Sequence, residues 1–307
     1  MRAFLIKCCV FLLVLFLSGM GVFLFADGHA DAFYLKLTSP RQQSLIIGSS
    51  RAAQGIQPDM FNARLPRLKL YNYAFSRVHT PYGAPYLESI KNKLDTDTRN
   101  GLFILEVNPW TLSDSKEEVG DGDYFKEIES FLGKVHNVTV TPNIPYLLSC
   151  YPERNVELLS KKWMREKSPQ IFVHSDGWCE VRFNKGNEKR GERDKITLKR
   201  YEAISEESIG ISKRRLDCLK ESIKFLKKHG LVVLVRMPVA ETMYDLEQDC
   251  FPEFDGVIFK MAEEAEVRYF DGSSQRSCYQ YTDGHHLDVV SGRRFTEFLV
   301  DYIKPLL

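Results

Sequence analysis

The stretch Ser44-Leu45-Ile46-Ile47-Gly48-Ser49-Ser50-Arg51 runs a short apolar strand into Gly-Ser-Ser and then straight into a helical pattern. An apolar run this short, closed by a turn signal, reads as a strand buried on both faces. The alternation continues outward from it: a helix over 52–65, a strand over 68–73, a helix over 82–94 and a strand over 102–107. It lapses from about 111 to 205, where the sequence is polar, aromatic and irregular. It then resumes with a helix over 211–229, a strand over 231–235, helices over 241–247 and 257–265, a strand over 267–270 and a helix over 289–303. Strands alternating with helices predict an α/β fold, with a central parallel sheet between two helical layers. Ligand sites in such sheets lie at the carboxyl ends of the strands.

The chain is 307 residues long with a formal net charge of +1, so no global field argues for nucleic acid as a partner. Arg2 and Lys7 precede eighteen apolar or small residues, Cys8 to Phe25, and Asp27 and Asp31 follow. That length nearly crosses a bilayer as a helix, and the flanking charges put the N-terminus inside and the body outside. The expectation is an uncleaved anchor over 1–26, a tether over 27–43 and a single domain over 44–307 with an insertion at 111–205. The rival is a cleaved signal peptide, with Ala30-Asp31-Ala32 as its cleavage site. Both place the domain on the extracytoplasmic side. Within Arg182–Arg200, eight Lys/Arg stand against three Asp/Glu, a local excess of 8 − 3 = +5. This reads as a solvated insertion surface or as a clamp for an anionic polymer or membrane. Among the cysteines outside the apolar run, Cys250 with Cys278 is the expected disulfide.

The polar residues that end these strands gather in one place. Gly48-Ser49-Ser50 ends the first strand, Asn72 the second and Asn108 the third, while Asp283-Gly284-His285-His286 lies just before the last helix. An Asp three residues before a His builds a base with its orienting carboxylate on one turn, and such a pair needs a nucleophile. Ser50 at a helix start supplies it, where free N–H groups favour developing negative charge. The expected roles are Ser50 as nucleophile, His286 as general base and then acid, and Asp283 as orienter of His286. The Ser50 N–H and the Asn108 amide line an oxyanion hole, with Asn72 beside them. Alternatives exist: Gly-Ser-Ser before a helix is often only a turn and an N-cap. The adjacent histidines beside Asp283 and Asp288 suggest a metal site, but neighbouring residues point apart and no further ligand pattern completes a shell. Arg51 and Arg236, at strand ends, are candidates to hold an acidic substrate group, or else to pair with an acid such as Glu106 or Glu241.

The order of these blocks resembles the SGNH (GDSL-like) hydrolase superfamily over about 44–110 and 210–307. Its pattern is Gly-Asp-Ser after strand one, a Gly block after strand two, an Asn block after strand three and Asp-x-x-His before the final helix. Asp283-x-x-His286 followed by Gly292 is a close match and Gly48-Ser49-Ser50 a fair one. Ser49 stands in place of the family's Asp, and Arg77 falls where the second block usually has Gly. The resemblance is nearest to exported, membrane-tethered members linked to acyl transfer on cell-surface polymers, such as the alginate O-acetylation proteins and the D-alanyl transfer protein of teichoic acids. It implies a flavodoxin-like three-layer domain and a cofactor-free serine esterase or O-acyltransferase. The expected partners are a cell-surface glycan, an acyl donor and an envelope acyltransferase. The alternative is a catalytically weak scaffold of an envelope polysaccharide assembly complex.

Overall fold

A computed structural model describes residues 1–27, 31, 33–118, 124–149, 158–160, 163, 171–183 and 189–307. Its centre is a parallel sheet of five strands: β1 (Ser44–Ile47), β2 (Leu70–Asn72), β3 (Gly101–Glu106), β4 (Gly230–Arg236) and β5 (Arg268–Asp271), in the order β2-β1-β3-β4-β5. The strand-to-strand register brings Ile46 beside Asn72 and Ile104, and Leu105 beside Leu234.

Alternate side chains of these strands enter two separate cores, which is why the strands read as unbroken apolar runs. Leu45, Ile47, Phe103, Leu105, Val232 and Leu234 face one side. There Tyr86 and Ile90 of helix Ala84–Lys93, Leu219 and Ile223 of helix Lys213–Leu226, and Ile258 of helix Phe254–Glu264 cover them. Ile46, Leu102, Ile104, Val233 and Val235 face the other side, against Ala52 of helix Ser50–Gly55, Phe61 of helix Pro58–Arg64 and Phe295 and Leu299 of helix Val289–Ile303.

Several expectations shift. The helix expected over 52–65 is two helices, because Pro58 has no N–H to continue the first and starts the second at its N-terminal turn. The stretch expected as a tether contains helix Tyr34–Thr38, with Tyr34, Lys36 and Leu37 buried. The basic run contains the first half of an 18-residue helix, Arg190–Glu207, which buries Thr197 and Tyr201. Cys250 and Cys278 are free thiols, so the expected disulfide is absent. The cleavage motif at 30–32 falls largely outside the described residues. The apolar N-terminal segment is a helix, Arg2–Val22, with no buried residue, extended by a 3-10 turn over Phe23–Phe25. By length and composition it can cross a membrane, a test that a signal sequence also passes.

Candidate active site

Strand order reverses between β1 and β3, and the crevice outside their carboxyl ends holds the polar residues. Ser49 is the N-cap of helix Ser50–Gly55, its Oγ accepting from Arg51 N at 3.3 Å. This makes Ser50 the first helical residue, with an N–H that has no intrahelical acceptor. Ser50 Oγ lies 2.8 Å from His286 Nε2, although 236 residues separate the two in the chain. His286 Nδ1 lies 3.0 Å from both carboxylate oxygens of Asp283.

The turn carrying the base is built to hold this geometry. Asp283 Oδ1 also accepts the His285 and His286 amides at 3.1 and 3.0 Å, and Gly284 takes a positive φ of 75° that closes the turn. Burial pushes the Asp283 carboxyl upward, but His286 and the two amides outweigh it and hold the group ionised, well below the usual carboxylate range. Asp288 then caps helix Val289–Ile303, accepting from Ser291 N at 2.7 Å. Gly292 lets this helix approach the nucleophile's helix, since a Cβ there would stand 3.1 Å from Gly55 O. Thr296 Oγ1 receives the Gln57 N–H at 3.0 Å across the same contact. The helix that starts at Ser50 and the helix that follows His286 are thus packed on each other.

Glu106, at the end of β3, was not read as a site residue. Its carboxylate is fully buried and accepts Ser49 N at 2.8 Å, Ser49 Oγ at 2.9 Å and Asn108 Nδ2 at 2.6 Å. Gly48 makes this possible: it has φ +147°, and a Cβ on it would meet Glu106 Cβ and Oε2 at 2.7 Å. The carboxylate missing at position 49 therefore comes from the neighbouring strand. The signal was in the sequence, because Glu106 and Asn108 are two apart on a strand end and face the same side.

The expected oxyanion donors are placed differently from the reading. Asn108 Nδ2 is committed to Glu106 and, at 3.2 Å, to Ser49 Oγ, so its amide hydrogens brace the turn rather than point at a reacting carbonyl. Asn108 Oδ1 caps the short helix Pro109–Leu112. Asn72 Nδ2 donates to the carbonyls of Ala52 and Ile56 at 2.9 and 3.0 Å, tying β2 to the nucleophile's helix. Of the expected donors only the Ser50 N–H is free to face the crevice.

Arg51 and Arg236 are likewise inward. Both are buried and both pair with Glu247, Arg51 through Oε1 and Arg236 through Oε2, while Arg236 also pairs with Asp255. Trp110 Nε1 donates to the same Glu247 at 2.8 Å. Glu106 and Glu241 are not their partners, Glu241 being bonded to Arg276. Arg51 reaches His285 as well, and Tyr201 stacks on His285 with its hydroxyl 2.9 Å from Nε2. Burial, then the charge of Arg51, pushes His285 well below the usual histidine range, so it stays neutral. The rim beyond is cationic: Arg77 and Arg200 lie 5.9 and 5.5 Å from the Tyr201 ring centre, and neither forms an ion pair among the described residues.

No protein-family model matches this chain, and no curated protein does. Among solved structures, it is similar to Est24, a carbohydrate acetylesterase from Sinorhizobium meliloti, at 10% identity and a TM-score of 0.39, over 87% of this chain and 100% of that one. It is also similar to an inhibitor-bound aryl esterase of M. smegmatis at 12% identity and a TM-score of 0.36, over 86% of this chain and 100% of the other. Likeness this remote carries no argument about reaction or substrate, which rest on the site itself.

Proposed function

We propose that this chain is a membrane-anchored serine esterase or O-acyltransferase acting on a cell-surface glycan through an acyl-serine intermediate. The observation that carries the reading is the chain of contacts Ser50 Oγ to His286 Nε2 at 2.8 Å and His286 Nδ1 to Asp283 at 3.0 Å. With Nδ1–H donated to the ionised Asp283, Nε2 is the basic nitrogen and faces the hydroxyl. Ser50 Oγ attacks the ester carbonyl as its proton passes to His286 Nε2. The tetrahedral oxyanion forms against the Ser50 N–H and the start of the helix. Collapse breaks the bond to the alcohol, which leaves with the proton from His286. Water or a sugar hydroxyl then gives its proton to His286 and attacks the acyl-Ser50 carbonyl, and collapse breaks the acyl–Oγ bond as His286 returns the proton to Ser50 Oγ. Hydrolysis and transfer differ only in that second nucleophile. The apolar helix Arg2–Phe25 supports anchoring of the body beside a membrane acyl donor, outside the cytoplasm.

A scaffold reading has one observation in its favour: the Asn108 amide is held by Glu106, which takes away an expected side-chain donor for an oxyanion. The full chain in detergent, assayed with p-nitrophenyl acetate and a fluorophosphonate probe, separates the two. Hydrolysis together with a covalent adduct on Ser50 is the expected result. The absence of both overturns the enzyme reading in favour of the scaffold.

A further inference from the structure

The direction in which the chain enters the domain orients the crevice. Gln42, two residues before β1, pairs with Leu94, and Ser39 receives the Lys93 ammonium through its carbonyl and hydroxyl at 2.7 and 2.9 Å. Reading upstream from there, helix Tyr34–Thr38 climbs toward the carboxyl ends of the strands. Lys36 Nζ reaches Asn72 Oδ1 and the Ala74 carbonyl just past β2. Phe33, the residue just before this helix, packs against Phe75, His79 and Phe131 at 5.5, 5.1 and 5.5 Å. These partners flank the loop that overlies the nucleophile: Phe75 N and Thr80 Oγ1 both donate to Gly48 O, at 3.2 and 2.8 Å. The chain therefore leaves the domain at the crevice end.

The apolar helix is joined there firmly. Phe23 and Ala26 are buried in the core cluster that contains Tyr34, Phe75 and Phe131, with Met20 and Val22 packed on it. Tyr146 OH donates to Asp31 at 2.6 Å across the same junction. Close in the chain to the residues at this exit lie three exposed aliphatic side chains, Val78, Ile128 and Leu148, at 60%, 51% and 69%. Each is within three residues of a side chain that packs on Phe33 or Tyr34, namely His79, Phe131 and Tyr146. Arg77, beside Val78, makes no ion pair among the described residues and is available to a phosphate.

We infer that the crevice end of the domain rests on the bilayer into which its own helix inserts, with Val78, Ile128 and Leu148 in the interface around the anchor. The inference rests on the reading of Arg2–Phe25 as an uncleaved anchor. Aliphatic side chains beside a spanning helix gain by entering the headgroup–acyl boundary, and an unpaired Arg suits anionic headgroups. A substrate for Ser50 then approaches along the membrane surface rather than from bulk solvent.

The test is photocrosslinking of the full chain in phosphatidylcholine–phosphatidylglycerol vesicles. Benzoylphenylalanine replaces, one at a time, Leu12 in the apolar helix, Val78, Ile128, Leu148, and Phe259, an exposed residue near the amino ends of β4 and β5. Lipid adducts on Leu12 and on all three rim positions, several-fold above Phe259, are the expected result. Adducts on Leu12 with rim positions no higher than Phe259 overturn the inference. No adduct on Leu12 overturns it too, by removing the anchor. Fluorophosphonate labelling of Ser50 in the same vesicles reports catalysis separately, so failure of the enzyme reading is distinguishable from failure of the membrane-facing arrangement.

Discussion

Ser50 and Arg51 are chain neighbours, as are His285 and His286, yet each pair divides between two environments. Ser50 and His286 meet at 2.8 Å on the crevice side, while Arg51 and His285 meet at 3.1 and 3.2 Å on the buried side, with Glu247 and Tyr201. On the proposed mechanism one side holds a proton that must move, and the other holds charges that must stay. Consecutive residues point apart, so the same two turns serve both. The buried ion pairs fix the turns in register, and the pair on the crevice side uses that register. An ion-pair network stripped of water is costly unless fully paired. Glu247, with three donors on its two oxygens, pairs most of it, while Arg51 Nη1 is buried with no hydrogen-bond partner among the described residues.

Substitutions on the reactive side break the comparison most sharply. Ser50→Ala and His286→Ala are each expected to lower kcat for p-nitrophenyl acetate by at least ~10³-fold with thermal stability unchanged, and Asp283→Asn by ~10⁴-fold through the wrong His286 tautomer. A variant pair with unequal stability and intact turnover would assign the roles to the wrong side. On the clamped side, Glu247→Gln leaves Arg51 and Arg236 buried against a neutral partner. It is expected to cost about 3–5 kcal/mol in urea unfolding while the folded fraction keeps its kcat. Glu106→Gln lies between the two. It weakens the brace under Ser49 and is expected to lower kcat by ~10-fold with KM and fluorophosphonate labelling retained. A rise in KM alone would instead assign Glu106 to substrate.

The smallest effect is a pH dependence from cations buried without carboxylates. Lys36 and Lys93 bond to carbonyl, amide and hydroxyl oxygens, and burial lowers them to about 8 and about 7. Their ordinary value is about 10.5, so between those limits the unfolded chain binds more protons than the folded one. Stability is therefore expected to rise with pH from about 7 toward 10, by at most ~1.4 kcal/mol per lysine per pH unit. Lys93→Met should flatten that slope in urea titrations at pH 7, 8 and 9. An unchanged slope would mean the ammonium is as well solvated in the fold as in water.

What the sequence made legible followed from pattern. The last helix spans Val289–Ile303 as its 3.6 period predicts, and the apolar runs fall in the parallel sheet. Ser50, Asp283 and His286 are brought together because strand ends and a pre-helix loop are fixed by topology. Direction of side chains was not legible to the same degree. Arg51 and Arg236 sit at strand ends yet turn inward, because their partner Glu247 lies on a helix more than ten residues from either. Nothing in the local pattern of helix Glu241–Cys250 marks that residue as buried. Asn108 was placed at the right strand end, but its amide direction is decided by Glu106, a same-side neighbour whose consequence was not drawn. The Tyr34–Thr38 helix was missed because five residues are too short for a helical period to declare itself.

The 236-residue separation between Ser50 and His286 bears on when the protein becomes reactive. Synthesis delivers Ser50 first and His286 236 residues later, so a chain interrupted before Asp283 carries a hydroxyl of ordinary reactivity. Only completion of the final helix, whose Gly292 seats against Gly55, brings the imidazole to it. On the proposed mechanism, acylation at Ser50 therefore reports a chain folded through that helix, and a product that stops before Asp283 is inert toward ester.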